Sequence, residues 1–234
     1  VFILGVDTAT SVAGAAVIEE DRLISERFVN NLKTHSENII PMIKQVMDDA
    51  GIKPDHLHAI AVTGGPGSFT GLRIGMSVAK TMGQVLNIPV IAISTLRMLA
   101  WNVYGVNGII CPVLDARRNQ VYTAVYRSAP GDFEELLNPA ALEIDRLVSG
   151  LMQFDEGVTF VGDGIPVFGP FLKERLGEKA HFGTLINSRP RAAAAAELGL
   201  AKLKAGRLPD PMFLQPVYLR KSEAELTWEK KHGS

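Results

Sequence analysis

The chain opens on an apolar run at residues 2–7 that ends in Asp7, and a second run at 12–18 is made of small and β-branched residues. Positions 22–29 then alternate in polarity. Short apolar runs fit strands buried on both faces, and alternation fits a strand with one wet face. Three antiparallel strands joined by tight turns are therefore expected, with Glu20 and Asp21 in the second turn. A helix signature follows. Thr34-His35-Ser36-Glu37 has capping-box spacing, and Ile39, Ile40, Met42, Ile43, Val46 and Met47 form an apolar face at helical period. Pro41 lies inside that pattern, so the helix either kinks there or begins a few residues later. A strand at 59–62, a glycine-rich turn, a helix at 70–86, a strand at 90–93 and a helix at 95–103 complete the order βββαβαβα.

The second half repeats that order more loosely. Strands are expected at 109–114, 121–126 and around 133–137, then a helix at 144–151, a strand at 158–161 and a helix at 168–176. The last clear element is a helix at 192–205 opened by Pro190, whose five consecutive alanines are strong helix formers that permit close packing. Each half begins with an apolar strand ending in aspartate, Asp7 and Asp115, before a turn and a second strand. Asp also favours turns by itself, but the doubled pattern predicts a duplication: one half over 1–105, a degenerate second half over 106–234. Pro209, Pro211 and Pro216 mark an extended tail packing back over the body. Two ribonuclease-H-like βββαβαβα halves are the α/β architecture of the actin-like (sugar kinase/Hsp70/actin) fold, which holds nucleotide in the cleft between them. Fold alone does not decide activity.

Charge narrows the function. Residues 1–120 carry 10 basic and 10 acidic side chains of totals of 24 and 25, so neither half has the basic excess of a domain that binds nucleic acid unaided. Cys111, the single cysteine, sits in an apolar run; a disulfide within the chain is excluded and a reducing, cytoplasmic compartment is expected. No apolar stretch approaches the ~18 residues of a membrane span.

Chemistry concentrates in two turns. In nucleotide-binding proteins of this fold an Asp at the position of Asp7 orients metal-bound water, and Thr8, Thr10 and Ser11 offer hydroxyls and turn amides to phosphate. An Asx or ST turn capped by its own side chains is the alternative. The matching turn, Asp115-Ala116-Arg117-Arg118-Asn119, has no glycine and two long cations, which suits a solvated turn better than a phosphate cradle. Gly162-Asp163-Gly164 is a weak candidate for an adenosine-contacting turn. The strongest local signal runs from Thr63 to Arg73 through Gly64, Gly65 and Gly67; its amides and the helix behind it could hold an anion, or it is a structural turn needing positive φ. No Lys-Ser/Thr pair follows these glycines, so it is not a Walker loop.

The helix after this loop carries Gly71, Gly75, Ala79 and Gly83 at intervals of four, with Leu72 and Met76 beside them. Each interior glycine costs about 1 kcal/mol, so close approach of another backbone is expected to offset it, inside the subunit or across to a second one. With the methionine-rich helix before it, this ridge is a candidate partner surface, and a bulky residue at Gly75 is expected to abolish pairing while leaving the monomer folded. No nucleophile constellation and no metal-ligand spacing appear.

Residues 65–73, together with 3–8, 34–37 and 216–220, make the chain resemble the bacterial TsaB family of the tRNA threonylcarbamoyladenosine machinery. The resemblance implies an actin-like, non-catalytic subunit that pairs with the sister enzyme TsaD, which transfers threonylcarbamoyl to tRNA, with the ATPase TsaE in the same assembly. It also implies self-association through the two helices above and only indirect contact with tRNA. The sister family's His-x-x-x-His metal pair falls on Thr95 and Leu99 here, neither of which replaces an imidazole. No required cofactor is therefore expected, with at most residual ATP/ADP-Mg binding through Asp7, Thr8, Thr10, Gly65 and Gly67. The rivals are an independent actin-fold ATPase or small-molecule kinase using Asp7 and Asp115, a peptidase, and a direct tRNA binder.

Overall fold

A computed structural model describes residues 1–31, 34–206, 213–220 and Trp228. Five strands, β1 (Phe2–Asp7), β2 (Ala13–Glu19), β3 (Arg22–Val29), β4 (Leu57–Gly65) and β5 (Val90–Ser94), form one sheet in the order β3-β2-β1-β4-β5. Five more, β6 (Ile109–Asp115), β7 (Gln120–Ala129), β8 (Asp132–Glu143), β9 (Val158–Val161) and β10 (Ala180–Phe182), form a second in the order β10-β9-β6-β7-β8. The two orders are one order: the first strand of each half lies central, antiparallel to the second strand and parallel to the fourth.

Central strands must bury both faces, which is why β1 and β6 read as continuous apolar runs. Leu4 and Val6 point to one side of the first sheet, where α1 (His35–Asp49) and α2 (Phe69–Leu86) cover them. Ile3 points to the other side and packs on α6 (Ala192–Lys204). In the second sheet Cys111 and Val113 meet α4 (Ile144–Leu151) and α5 (Ile165–Leu176). Its opposite face, with Ile110, Ala124 and Tyr126, is covered by Leu96, Leu99 and Ala100 of α3 (Thr95–Trp101). Each sheet is thus closed by the last helix of the other half. The alanines of α6 are what this requires: a Cβ on Gly5 of β1 would collide with the Ala192 carbonyl, so helix and strand backbones are in contact.

Several expectations need correction. The third strand of the second half is β8, twelve residues rather than about five; its ladder with β7 shifts register around Val125, and Pro139 sits in this edge strand. The helix expected from 168 begins at Ile165, with Pro166 in its first turn, where proline's missing N–H costs nothing. β10 had no sequence signal, being three residues long. α1 starts at His35, so Pro41 does not delay it, and Glu37 Oε2 accepts the Thr34 N–H at 3.2 Å. The tail expectation lies partly outside the described residues, which omit Pro209, Pro211 and the last six positions, but 213–220 does pack on the body: Leu214 is buried in the first-half core and Val217 N–H donates to the Gly64 carbonyl at 2.7 Å.

Candidate functional site

The turns after β1 and β6 and the β4–α2 loop face one another across a cleft of about 520 Å³. Thr10, Ser11, His35, Gly67, Ser68 and Thr70 line it from the first half; Asp115, Ala116, Arg117, Tyr122 and Asp163 line it from the second, and residues 217–220 run along it.

Of the five residues expected to hold phosphate, the structure brings Thr10 and Gly67 to this wall and turns Asp7, Thr8 and Gly65 inward. Asp7 is fully buried; its Oδ1 accepts from the Thr63 hydroxyl at 2.7 Å and the Ala9 N–H at 3.1 Å, while Oδ2 is buried without a partner. Burial pushes its carboxyl up to about 6, against the lowering effect of the Thr63 bond. The Thr8 hydroxyl donates to the Gly71 carbonyl at 2.7 Å. Thr10 Oγ1 accepts the Val12 N–H at 3.2 Å, and its carbonyl accepts from His35 Nε2 at 2.7 Å. A Cβ at Gly67 would strike the Ala9 carbonyl, and Gly65, at φ +114°, lies against the Val217 backbone. These glycines serve close approach within the protein, the structural reading of the loop.

The second turn is spent in the same way. Arg117, Arg118 and Asn119 all have positive φ, at 62°, 52° and 59°, so the hairpin takes a left-handed path without glycine. Three of its amides are bonded within the turn: Ala116 N–H to the Gln120 carbonyl, Arg117 N–H to Asp115 Oδ1 and Gln120 N–H to the Arg117 carbonyl. Asp163 Oδ1 accepts the Asp115 N–H at 3.2 Å, and burial raises the Asp163 carboxyl above its usual range. A magnesium triphosphate needs free amides on both turns and an accessible carboxylate. Asp7 and the Ala116, Arg117 and Gln120 amides do not fit that role, being taken up internally, whereas Asp115 stays exposed at the cleft.

The helix residues expected at a partner surface are likewise mostly internal. Ile39, Met42, Ile43, Val46, Met47, Met76 and Ala79 belong to the first-half core, and Leu72, Gly71, Gly75 and Gly83 of α2 are also buried. The glycine ridge packs inside the subunit, on Thr8 and Val90. Ile40, half exposed, remains outward, and Val85 on α2 joins it at 77% exposure. Gly75 is therefore not a clean probe of pairing, since a side chain there would meet Thr8 Oγ1 in the monomer.

Thr95 and Leu99 are both fully buried on α3, and among the described residues no cluster of three or more His, Cys, Asp or Glu could hold a metal. Cys111 is buried against Thr123, and burial pushes its thiol up to about 12, the behaviour of a core residue. No helix among the described residues is long and apolar enough to cross a membrane. Sequence reasoning missed three participants. Thr63 stood only as the first residue of a motif, His35 only as part of a cap, and Arg220 only as the end of a motif. Polar residues spaced within or beside strands carried no chemical signal of their own.

Two like-ordered sheets closed by exchanged helices around a cleft define a protein of the actin-like ATPase and sugar-kinase fold. A ROK hexokinase from Thermus thermophilus shares it at TM-score 0.55 and 15% identity over 88% of this chain and all of that one, a likeness of fold alone. The profile of the family described as TsaD, tRNA N6-adenosine threonylcarbamoyltransferase, matches residues 24–228. The tRNA threonylcarbamoyladenosine biosynthesis protein TsaB of Bacillus subtilis is 36% identical over 97% of both chains. YeaZ from Pseudomonas aeruginosa superposes with TM-score 0.80 at 26% identity over 93% of this chain and 99% of that one. The chain belongs to the TsaB family.

Proposed function

We propose that this protein acts in the biosynthesis of threonylcarbamoyladenosine in tRNA as a non-catalytic subunit that pairs with TsaD and supports it, with TsaE in the same assembly. The observation that carries the reading is identity to a TsaB along 97% of both chains. The cleft supports the non-catalytic part: its first carboxylate is buried, and the Ala116, Arg117 and Gln120 amides of its second turn are taken up by internal hydrogen bonds. A formal net charge of −1 supports indirect contact with tRNA. In isolation the chain forms a homodimer through α1 and α2, and its compartment is the cytoplasm.

Reconstituted tRNA modification with TsaD, TsaE and the threonylcarbamoyl-adenylate supply tests this. The expected result is loss of product when this chain is omitted and full product with Asp7→Asn. Full-rate modification in its absence overturns the proposal. So does steady Mg-ATP turnover by the purified chain that Asp7→Asn abolishes, which would instead establish an independent ATPase or kinase.

A further inference from the structure

The segment 213–220 touches both halves, and its contacts run in order across the cleft. Leu214 is inserted into the first-half core, and its carbonyl accepts from Lys80 Nζ of α2 at 3.2 Å. Val217 then pairs with the Gly64 carbonyl and lies so close to Gly65 that no other residue would fit there. The Tyr218 ring packs on Phe69 with centroids 4.6 Å apart, and its hydroxyl accepts from Arg73 Nε at 3.1 Å; the Arg73 guanidinium lies 3.9 Å from the Phe69 centroid. Two residues later the Arg220 guanidinium donates to the Ala116 carbonyl in the left-handed turn of the second half.

We propose that residues 213–220 form an intramolecular strap that fixes the angle between the two halves from within the chain. In this fold a ligand gripped by both lobes usually does that work. Here Asp7 of the first turn and the Ala116, Arg117 and Gln120 amides of the second are taken up by internal hydrogen bonds, and a charge-assisted bond from the chain's own arginine spans the cleft instead. The strap is anchored on the first half by burial, an aromatic contact and two side-chain hydrogen bonds, and its far end is one arginine. Release at Arg220 therefore frees the mouth of the cleft, with the first-half anchor left in place and the packing of Met98 of α3 on α6 still joining the halves at its base. This inference does not depend on which partner the protein serves.

Amide hydrogen exchange on the full chain tests it. Arg220→Ala is expected to speed exchange of the hairpin amides at 116 and 120 by about tenfold, the loss of one charge-assisted hydrogen bond, and Arg220→Lys to recover part of the protection. Tyr218→Ala removes an anchor that never touches this hairpin, so faster exchange there, at unchanged global stability, distinguishes a strap from a merely local contact. Unchanged exchange at 116 and 120 in Arg220→Ala overturns the proposal. Faster exchange in Arg220→Ala with none in Tyr218→Ala also overturns it, reducing Arg220 to a local contact.

Discussion

The Thr8 hydroxyl and the Gly71 carbonyl form a buried hydrogen bond of 2.7 Å that ties the end of β1 to the first turn of α2. One helical turn later, Gly75 faces the same hydroxyl, and a Cβ there would fall inside its contact distance. Thr8 cannot retreat without abandoning Gly71. Gly75→Ala is therefore expected to destabilise the monomer by about 1–3 kcal/mol, lowering Tm by about 5 °C. Thr8→Ala removes the obstructing hydroxyl, so the double variant should be more stable than the sum of the two single losses. Urea unfolding of the four proteins reads this directly, and strict additivity would count against the contact.

Asp7 gives stability a pH dependence of known sign. Its carboxyl titrates at about 6 when folded against 3.8 as a free side chain, so folding favours the protonated form. The cost of holding it ionised is absent below 3.8, grows as pH rises through about 6 and is constant above. At full ionisation the shift corresponds to about 3 kcal/mol. Asp7→Asn keeps an oxygen for Thr63 and Ala9 and cannot ionise. The stability of the variant relative to the parent should therefore climb between pH 4 and 7 and then level off. A difference that stays flat over that window would show that Asp7 is not held in an apolar setting.

How much of this was legible in the chain follows from where the signal resides. β1, β6 and the helix faces were readable because burial imposes a period on apolar residues, and the matching aspartates Asp7 and Asp115 marked the repeat. The presence of β8 was readable around 133–137 but its full length was not, because an edge strand with a proline has no face that must stay apolar throughout. The glycine ridge was correctly seen as demanding close approach, but spacing along one helix cannot say whether the approaching backbone is the chain's own. The exchange of α3 and α6 between sheets was hidden for a related reason: their sequences record that they are buried, not beneath which sheet. The site differed most. Asp7 reads the same whether it meets a metal or Thr63.

Glu26 joins β3 to the start of α6. Its side chain is only 7% exposed and accepts from Arg191 Nε at 2.7 Å and from the Ala193 N–H at 3.1 Å. It serves both as partner to a half-buried cation and as cap for the helix that closes the first sheet. Glu26→Ala leaves the guanidinium unpaired and the helix end open, and is expected to cost about 3 kcal/mol. Glu26→Gln retains an oxygen for one donor and should lose roughly half as much. Faster amide exchange confined to the first turn of α6 in Glu26→Gln would locate the effect; equal losses in the two variants would mean that charge, not capping, dominates.

If α1 and α2 meet TsaD, they must do so with the side chains that the core leaves free. Ile39 and Ile40 separate the two roles on adjacent residues: the first is fully buried under α1, the second 53% exposed. Val85, at 77%, is the corresponding outward apolar group on α2. An aspartate at Ile39 puts an unpaired charge into the core and should unfold the protein. Ile40→Asp and Val85→Asp each place the charge in water and should shift Tm by no more than about 2 °C, since exposed substitutions rarely exceed about 0.5 kcal/mol. A buried contact at a partner surface would nevertheless lose about tenfold in affinity from the same charge. Co-purification with TsaD and the association state of the isolated chain measure that loss. Undiminished pairing by the Ile40→Asp/Val85→Asp double variant, with Tm intact, would move the interface off these two helices.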